Sequence, residues 1–228
     1  MDFSTKTEVI DLVDSNVVCK DLDNFPIEGL YGSAGANLVS MPIICGGRFY
    51  KNGSDHTSDK CFMYKEGGWE HFATMIDRRA GAAGIVYDNT FHIFGGSDEN
   101  TRLQSSEIVK EDGSSVEGPQ LPKPIHSHAV ASINATVSII TGGYTGTYSE
   151  QTWYFNHASQ EFQAGPNLLK GRNYLSSGTI TDQKTKEKTV IVVGGYHGSP
   201  SNGIYMDSTE ILLNEQWVTG KNYTMSTF

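Results

Sequence analysis

The sequence predicts an all-β fold assembled from repeated four-stranded units, and three observations predict it. An apolar run closed by two glycines recurs: "MPIICGG" ends at Gly47, "FHIFGG" at Gly96, "VSIITGG" at Gly143 and "TVIVVGG" at Gly195. The steps between these ends are 49, 47 and 52 residues, too long for helical solenoids and suited to one four-stranded blade per repeat. The runs are apolar on consecutive positions rather than alternating, as a strand buried on both faces requires. Finally, no stretch keeps a 3.6-residue apolar period, and the 25 glycines fall at strand ends and turns.

The elements follow in order. "TEVIDLV" (7–13) and "NVVCKDLDNFP" (16–26) match the third and fourth strands of a unit, strands c and d, so residues 1–28 are a partial unit. Residues 29–76 supply strand a in "LYGSAGANL", b in "MPIICGG", c in "KCFMYKEG" and d in "GWEHFATM". Residues 77–124 supply "RRAGAAGIVYD", "FHIFGG", "SSEIVKED" and "SVEGPQLP". Residues 125–170 repeat the order with "HSHAVASI", "TVSIITGG", "EQTWYFN" and "EFQAGPNLL", and residues 171–220 with "NYLSSGTIT", "TVIVVGG", "DSTEILL" and "EQWVTG". "GKNYTMSTF" (220–228) matches "GRNYLSSGT" (171–179), so residues 221–228 read as the start of a further unit. Each doublet ends strand b where backbones crowd and positive φ is needed.

Trp69 and Trp217 both stand 23 residues after the first glycine of their doublet, with Gly118-Pro119 at that distance in a unit lacking the Trp. Arg79 and Arg172 stand just before strand a. This combination of Gly doublet, apolar strand c, strand-d Trp and an Arg opening the next strand resembles the kelch repeat. Two units lack the Trp, and His126 is read at the Arg position of a third. The resemblance implies a β-propeller, here with four complete blades and partial blade strands at both ends, an incomplete or open ring. A β-sandwich with chance glycine pairs is the competing fold.

Net charge is −9, which argues against a nucleic-acid surface. No apolar run approaches a membrane-spanning length. The opening "MDFSTKTEVIDLV" has no charged region followed by an apolar stretch, so the default expectation is cytoplasmic, or extracellular if a leader has been trimmed. Sequons stand at Asn52, Asn134 and Asn222 but do not establish secretion. Of three cysteines, Cys45 ends a strand b and Cys61 opens the following strand c. Those strands are antiparallel neighbours, so the Cα atoms are expected within the roughly 4.4–6.8 Å that a disulfide spans, with oxidation set by the compartment.

In such a blade the b–c and d–a loops share one face. All five arginines fall there: Arg48, Arg78, Arg79, Arg102 and Arg172. So do Phe49, Tyr50, Tyr144, Tyr148, Tyr174, Tyr196 and His197. Arg79 and Arg172 occupy the repeat's own Arg position and are read as packing residues. Arg48, Arg78 and Arg102, with the aromatics, are the candidate partner site. Guanidinium forks bind carboxylates bidentately, and Tyr and Arg dominate interface hot spots. The expectation is a non-catalytic module binding an acidic peptide or protein segment. A carbohydrate-binding or carbohydrate-active propeller is the alternative. His126 and His128 form H-x-H, which in a strand points both rings one way, but no third ligand stands at metal-site spacing. No cofactor, metal or catalytic acid–base pair is read, including for the copper-oxidase and sialic-acid-mutarotase classes of kelch enzymes.

Overall fold

A computed structural model describes residues 4–9, 20–181, 186–198 and 202–221. Cys19 and most of the 220–228 match lie outside them. β1 (Thr7–Val9) pairs antiparallel with β2 (Lys20–Leu22). The first four-stranded sheet begins with β3 (Ala34–Leu38) and β4 (Met41–Cys45). A hairpin of β5 (Arg48–Lys51) and β6 (Ser54–Thr57) then interrupts it, and β7 (Lys60–Lys65) and β8 (Gly68–Thr74) complete it. β9 (Ala83–Tyr87), β10 (Thr90–Phe94), β11 (Ser106–Val109) and β12 (Ser115–Glu117) form the second sheet. β13 (Ala129–Ser132), β14 (Val137–Thr141), β15 (Thr152–Asn156) and β16 (Glu161–Ala164) form the third. The fourth has β17 (Ser176–Thr181) and β18 (Lys188–Val193), a short pair β19 (Tyr196–His197) and β20 (Ile204–Tyr205) beside it, then β21 (Thr209–Leu213) and β22 (Gln216–Thr219). There is no helix among the described residues.

The sheets follow one another in a propeller-like array. The innermost strands β3, β9, β13 and β17 adjoin in sequence order. Ahead of them runs a relay of backbone bonds between units: Gly81 N–H donates to Gly32 O (2.7 Å), Ser127 N–H to Gly81 O (2.6 Å) and Tyr174 N–H to Ser127 O (2.9 Å). All four residues take the same positive φ, between 51° and 67°. One apolar cluster fills each gap between sheets: Ile43, Met63 and Phe91 between the first and second, Phe94, Ile140 and Phe155 between the second and third, Ile139, Val192 and Trp217 between the third and fourth.

The doublets do two jobs. Every doublet glycine has positive φ. The second glycine of the first three doublets bonds forward to the next unit: Gly47 N–H to Arg79 O (2.8 Å), Gly96 to Ile125 O (2.8 Å) and Gly143 to Arg172 O (2.7 Å). A Cβ on Gly95 would stand 2.5 Å from Ile125 O, so this approach needs glycine as well as its φ. The bonds also correct a register. The residue equivalent to Arg79 and Arg172 is Ile125, and His126 lies one position later, opposite Tyr144. Nor is "HSH" a strand: Ser127 has φ 54°. His128 is buried while His126 stays on the loop side, paired with Tyr144, so the two rings do not share a side.

Cys45 and Cys61 are joined as a disulfide with Cα atoms 4.0 Å apart, closer than the expected span. The two residues face each other directly. Gly46 N–H donates to Lys60 O (2.9 Å) in the flanking pair, which makes the cysteines a non-hydrogen-bonded pair, the closely spaced kind. Both cysteines are buried. Peptide mapping without reduction, on protein held under oxidising conditions, should recover residues 45 and 61 in one linked fragment. Free alkylated thiols at both positions would contradict the pairing.

Candidate functional site

The loop face is built from equivalent positions in successive units. The residue after each doublet (Arg48, Ser97, Tyr144, Tyr196) pairs with the residue opening the corresponding unit (Tyr31, Ala80, His126, Asn173). This joins the b–c and d–a loops. The returning b–c segment adds Arg102 opposite Ser97, Tyr148 opposite Tyr144 and Tyr205 opposite Tyr196.

At the first two of these positions the second unit carries the small side chains Ala80 and Ser97, a step between larger neighbours, with its own Arg102 opposite Ser97. Cations and rings gather over it. The Arg102 guanidinium lies over the Tyr144 ring, 5.6 Å from its centroid, and His126 packs against the same tyrosine at 5.5 Å. Arg48 reaches across from the first unit to donate to the Asp98 carbonyl (2.8 Å), and its Nε is buried without a hydrogen-bond partner among the described residues. Burial, then the charges of Arg102 and Arg48, hold His126 below the ordinary histidine range, so its imidazole is neutral at pH 7.

The aromatic surface continues from there. Tyr144 meets Tyr148 (5.4 Å), Tyr148 meets Tyr196 (5.7 Å) and His197 (5.2 Å), and Tyr196 meets Tyr205 (5.2 Å). His197 is fixed by its Nδ1 donating to Gly171 O (2.6 Å). Burial first, then the phenols of Tyr196, Tyr144 and Tyr174, raise the Tyr148 pKa, which places Tyr148 among all three. Tyr174 and Tyr205 are 71% and 76% exposed, so ring faces remain open to a ligand.

The structure therefore brings together Arg48, Arg102, Tyr144, Tyr148, Tyr174, Tyr196 and His197. Tyr50 stands out on the β5–β6 hairpin opposite Asp55, and exposed Arg78 acts electrostatically on Glu99. The face is less basic than expected, because Asp98 and Glu99 sit in it. Asp98 accepts the Thr101 and Asn100 amides, both at 2.7 Å, and these bonds lower its pKa. Glu99 accepts the Thr57 amide (2.6 Å), which lowers its own. His126 and Tyr205 were not among the sequence candidates. In the sequence His126 reads as the packing residue one position away, and Tyr205 lies in a doublet-to-strand-c segment without a repeat signature.

Arg79 and Arg172 are packing residues. Each is 1% exposed. Arg79 donates to Gly95 O (2.6 Å), Ser105 O (3.2 Å) and Glu107 (2.6 Å), and Arg172 to Gly194 O (3.0 Å), Ser208 O (3.1 Å) and Glu210 (2.5 Å). The recurrence of "SSEI" (105–108) and "STEI" (208–211) was a legible signal for the two glutamates.

No protein-family model matches this chain. It is 27% identical over 149 residues to the spermatocyte protein spe-26 of Caenorhabditis elegans, a match covering 60% of this chain and 26% of that protein. The chain thus spans about a quarter of the length of the curated relative that it matches. The solved structure of YjhT superposes with a TM-score of 0.83, covering 97% of this chain and 84% of that one at 11% identity. At that identity the likeness concerns the fold alone.

Proposed function

We propose that the chain is a kelch-type propeller with four complete blades and partial blade strands at its ends, serving as a non-catalytic module that binds an acidic protein segment on its loop face. The observation that carries the reading is the convergence of Arg48, Arg102 and His126 on the step formed by Ala80 and Ser97. A carboxylate there meets two guanidinium groups and a neutral imidazole able to donate. The adjoining tyrosines then bury the apolar parts of the segment. Asp98 and Glu99 border the step and select against a flat anionic surface, favouring a partner that places its charge at one point.

The double variant Arg48→Ala/Arg102→Ala tests this in a pulldown from cell extract. The captured acidic partner should be lost, and its retention on the wild type should fall as salt rises. Each substitution should cost about 2 kcal/mol or more, as for an interface hot spot. Partners unchanged by the variant and insensitive to salt would remove the face as the site. The open rings of Tyr174 and Tyr205 also suit stacking on sugars. Retention of neutral oligosaccharides on a glycan array, lost on Tyr174→Ala, would favour that reading.

A further inference from the structure

We infer a second binding site on the rim of the third sheet, where β16 takes an added strand from a partner segment that alternates apolar and basic residues. Gly165 N–H donates to Thr152 O (2.9 Å), which fixes the hydrogen-bonding phase of the β15–β16 ladder. In the established register, Gln163 and Glu161 then turn their backbone groups inward to Tyr154 and Asn156. Phe162 and Ala164 turn theirs outward, where β16 is the edge of its sheet.

This edge stands in a groove of about 1060 Å³ that opens on both of its sides. The two sides differ in chemistry. Phe162 lies opposite Phe155 and belongs to the cluster toward the second sheet, and that side of the groove is closed by Pro119 and Pro122. Glu161 and Gln163 point the other way with Tyr154, toward Leu212 and Glu215 of the fourth sheet. Burial and then the Glu215 charge raise the Tyr154 pKa, which puts that carboxylate beside the phenol. Among the described residues the groove lining carries Glu161 and Glu215 and no lysine or arginine.

A strand added to this edge sends successive side chains to opposite sides. One set enters the proline-and-phenylalanine cleft, and the other meets the two glutamates. Charge complementarity therefore selects a period of two, apolar then basic. The site shares no residue with the loop face, so the two readings stand or fall separately.

A fluorescently labelled heptapeptide alternating valine and lysine is the probe, with a valine–glutamate counterpart and a block-ordered peptide of the same valine–lysine composition. The alternating basic peptide should bind with a measurable anisotropy change, and the other two should bind at least about tenfold more weakly. Ala164→Pro removes an outward amide while leaving the inward ladder intact, a substitution that edge strands tolerate. It should weaken binding by a similar factor, as should Glu161→Lys/Glu215→Lys, while Arg48→Ala/Arg102→Ala should not. If Ala164→Pro fails to fold by circular dichroism, the glutamate pair carries the test. Absence of binding by the alternating peptide overturns the site. So does equal binding by the block-ordered peptide, which would mark simple attraction to an acidic protein.

Discussion

Glu107→Ala should destabilise the domain by about 3–5 kcal/mol, the scale for breaking a buried ion pair. It removes the buried carboxylate that stands 2.6 Å from the Arg79 guanidinium, both side chains being at most 1% exposed, and leaves that cation only the more exposed Asp77 carboxylate at 3.4 Å. It also strands the amides of Ile76 (2.7 Å) and Asp77 (2.9 Å), which donate to the same carboxylate. The loss is comparable to a large part of a typical domain's stability. The third unit shows another solution at the same place. There Ile125 replaces the arginine, and Trp153, opposite Ile140 as Glu107 is opposite Ile93, replaces the glutamate. Pro122 takes the position of Ile76, three residues before Ile125 as Ile76 is before Arg79, and has no amide to satisfy. Ile125 and Trp153 lie in one apolar cluster. Transplanting that set as Arg79→Ile/Glu107→Trp/Ile76→Pro should recover most of the loss, because a packed apolar set can equal a buried pair. Urea unfolding of the single and triple variants checks both. A triple variant no more stable than Glu107→Ala would mean that the two arrangements are not interchangeable.

The same comparison shows what the sequence exposes. The doublets and the apolar strand-b runs were legible because each leaves a compositional mark. Positive φ beside a neighbouring carbonyl admits only glycine, and burial on both faces removes the polar alternation. The tyrosines and arginines of the loop face were legible in membership for a simpler reason: their loops are bounded by those marks. The position of His126 was not, since a slip of one residue changes no composition. The bond from Gly96 to the Ile125 carbonyl and the pairing of His126 with Tyr144 settle it. The buried Arg–Glu pairs were half legible. Their arginines stood at a repeat position, while their glutamates sat inside strands where a charge is read as solvent-facing. The groove around β16 had no local signal, because its walls come from three units and its polarity only emerges when Glu215 is carried to Tyr154.

Acidification from pH 7 to pH 5 should destabilise the domain well before its carboxylates titrate, because three histidines are buried in the neutral form. Burial, and secondarily the charge of His126, lowers His128 to about 3. Both of its ring nitrogens are buried without hydrogen-bond partners among the described residues. Burial, then His157, lowers His92 to about 4, and burial lowers His157 to about 4. These two rings are 4.8 Å apart between the second and third sheets, so protonating one opposes protonating the other. In the unfolded chain each titrates near 6.5. Between pH 6.5 and about 4 the unfolded state therefore binds protons that the native state refuses, and stability falls as the pH falls. Each histidine should lose about 2 kcal/mol by pH 5. The depressed carboxylates Asp98, Glu99 and Asp112 contribute in the same direction only nearer their own unfolded values, so stopping at pH 5 separates the two effects. His128→Asn and His157→Phe should each flatten the dependence of the urea midpoint on pH, whatever they do to stability at pH 7. His157→Phe also removes the 2.8 Å bond to Ser138, so the slope and not the midpoint is the readout. An unchanged slope in both variants would show that these histidines are charged, or exposed, in the native protein.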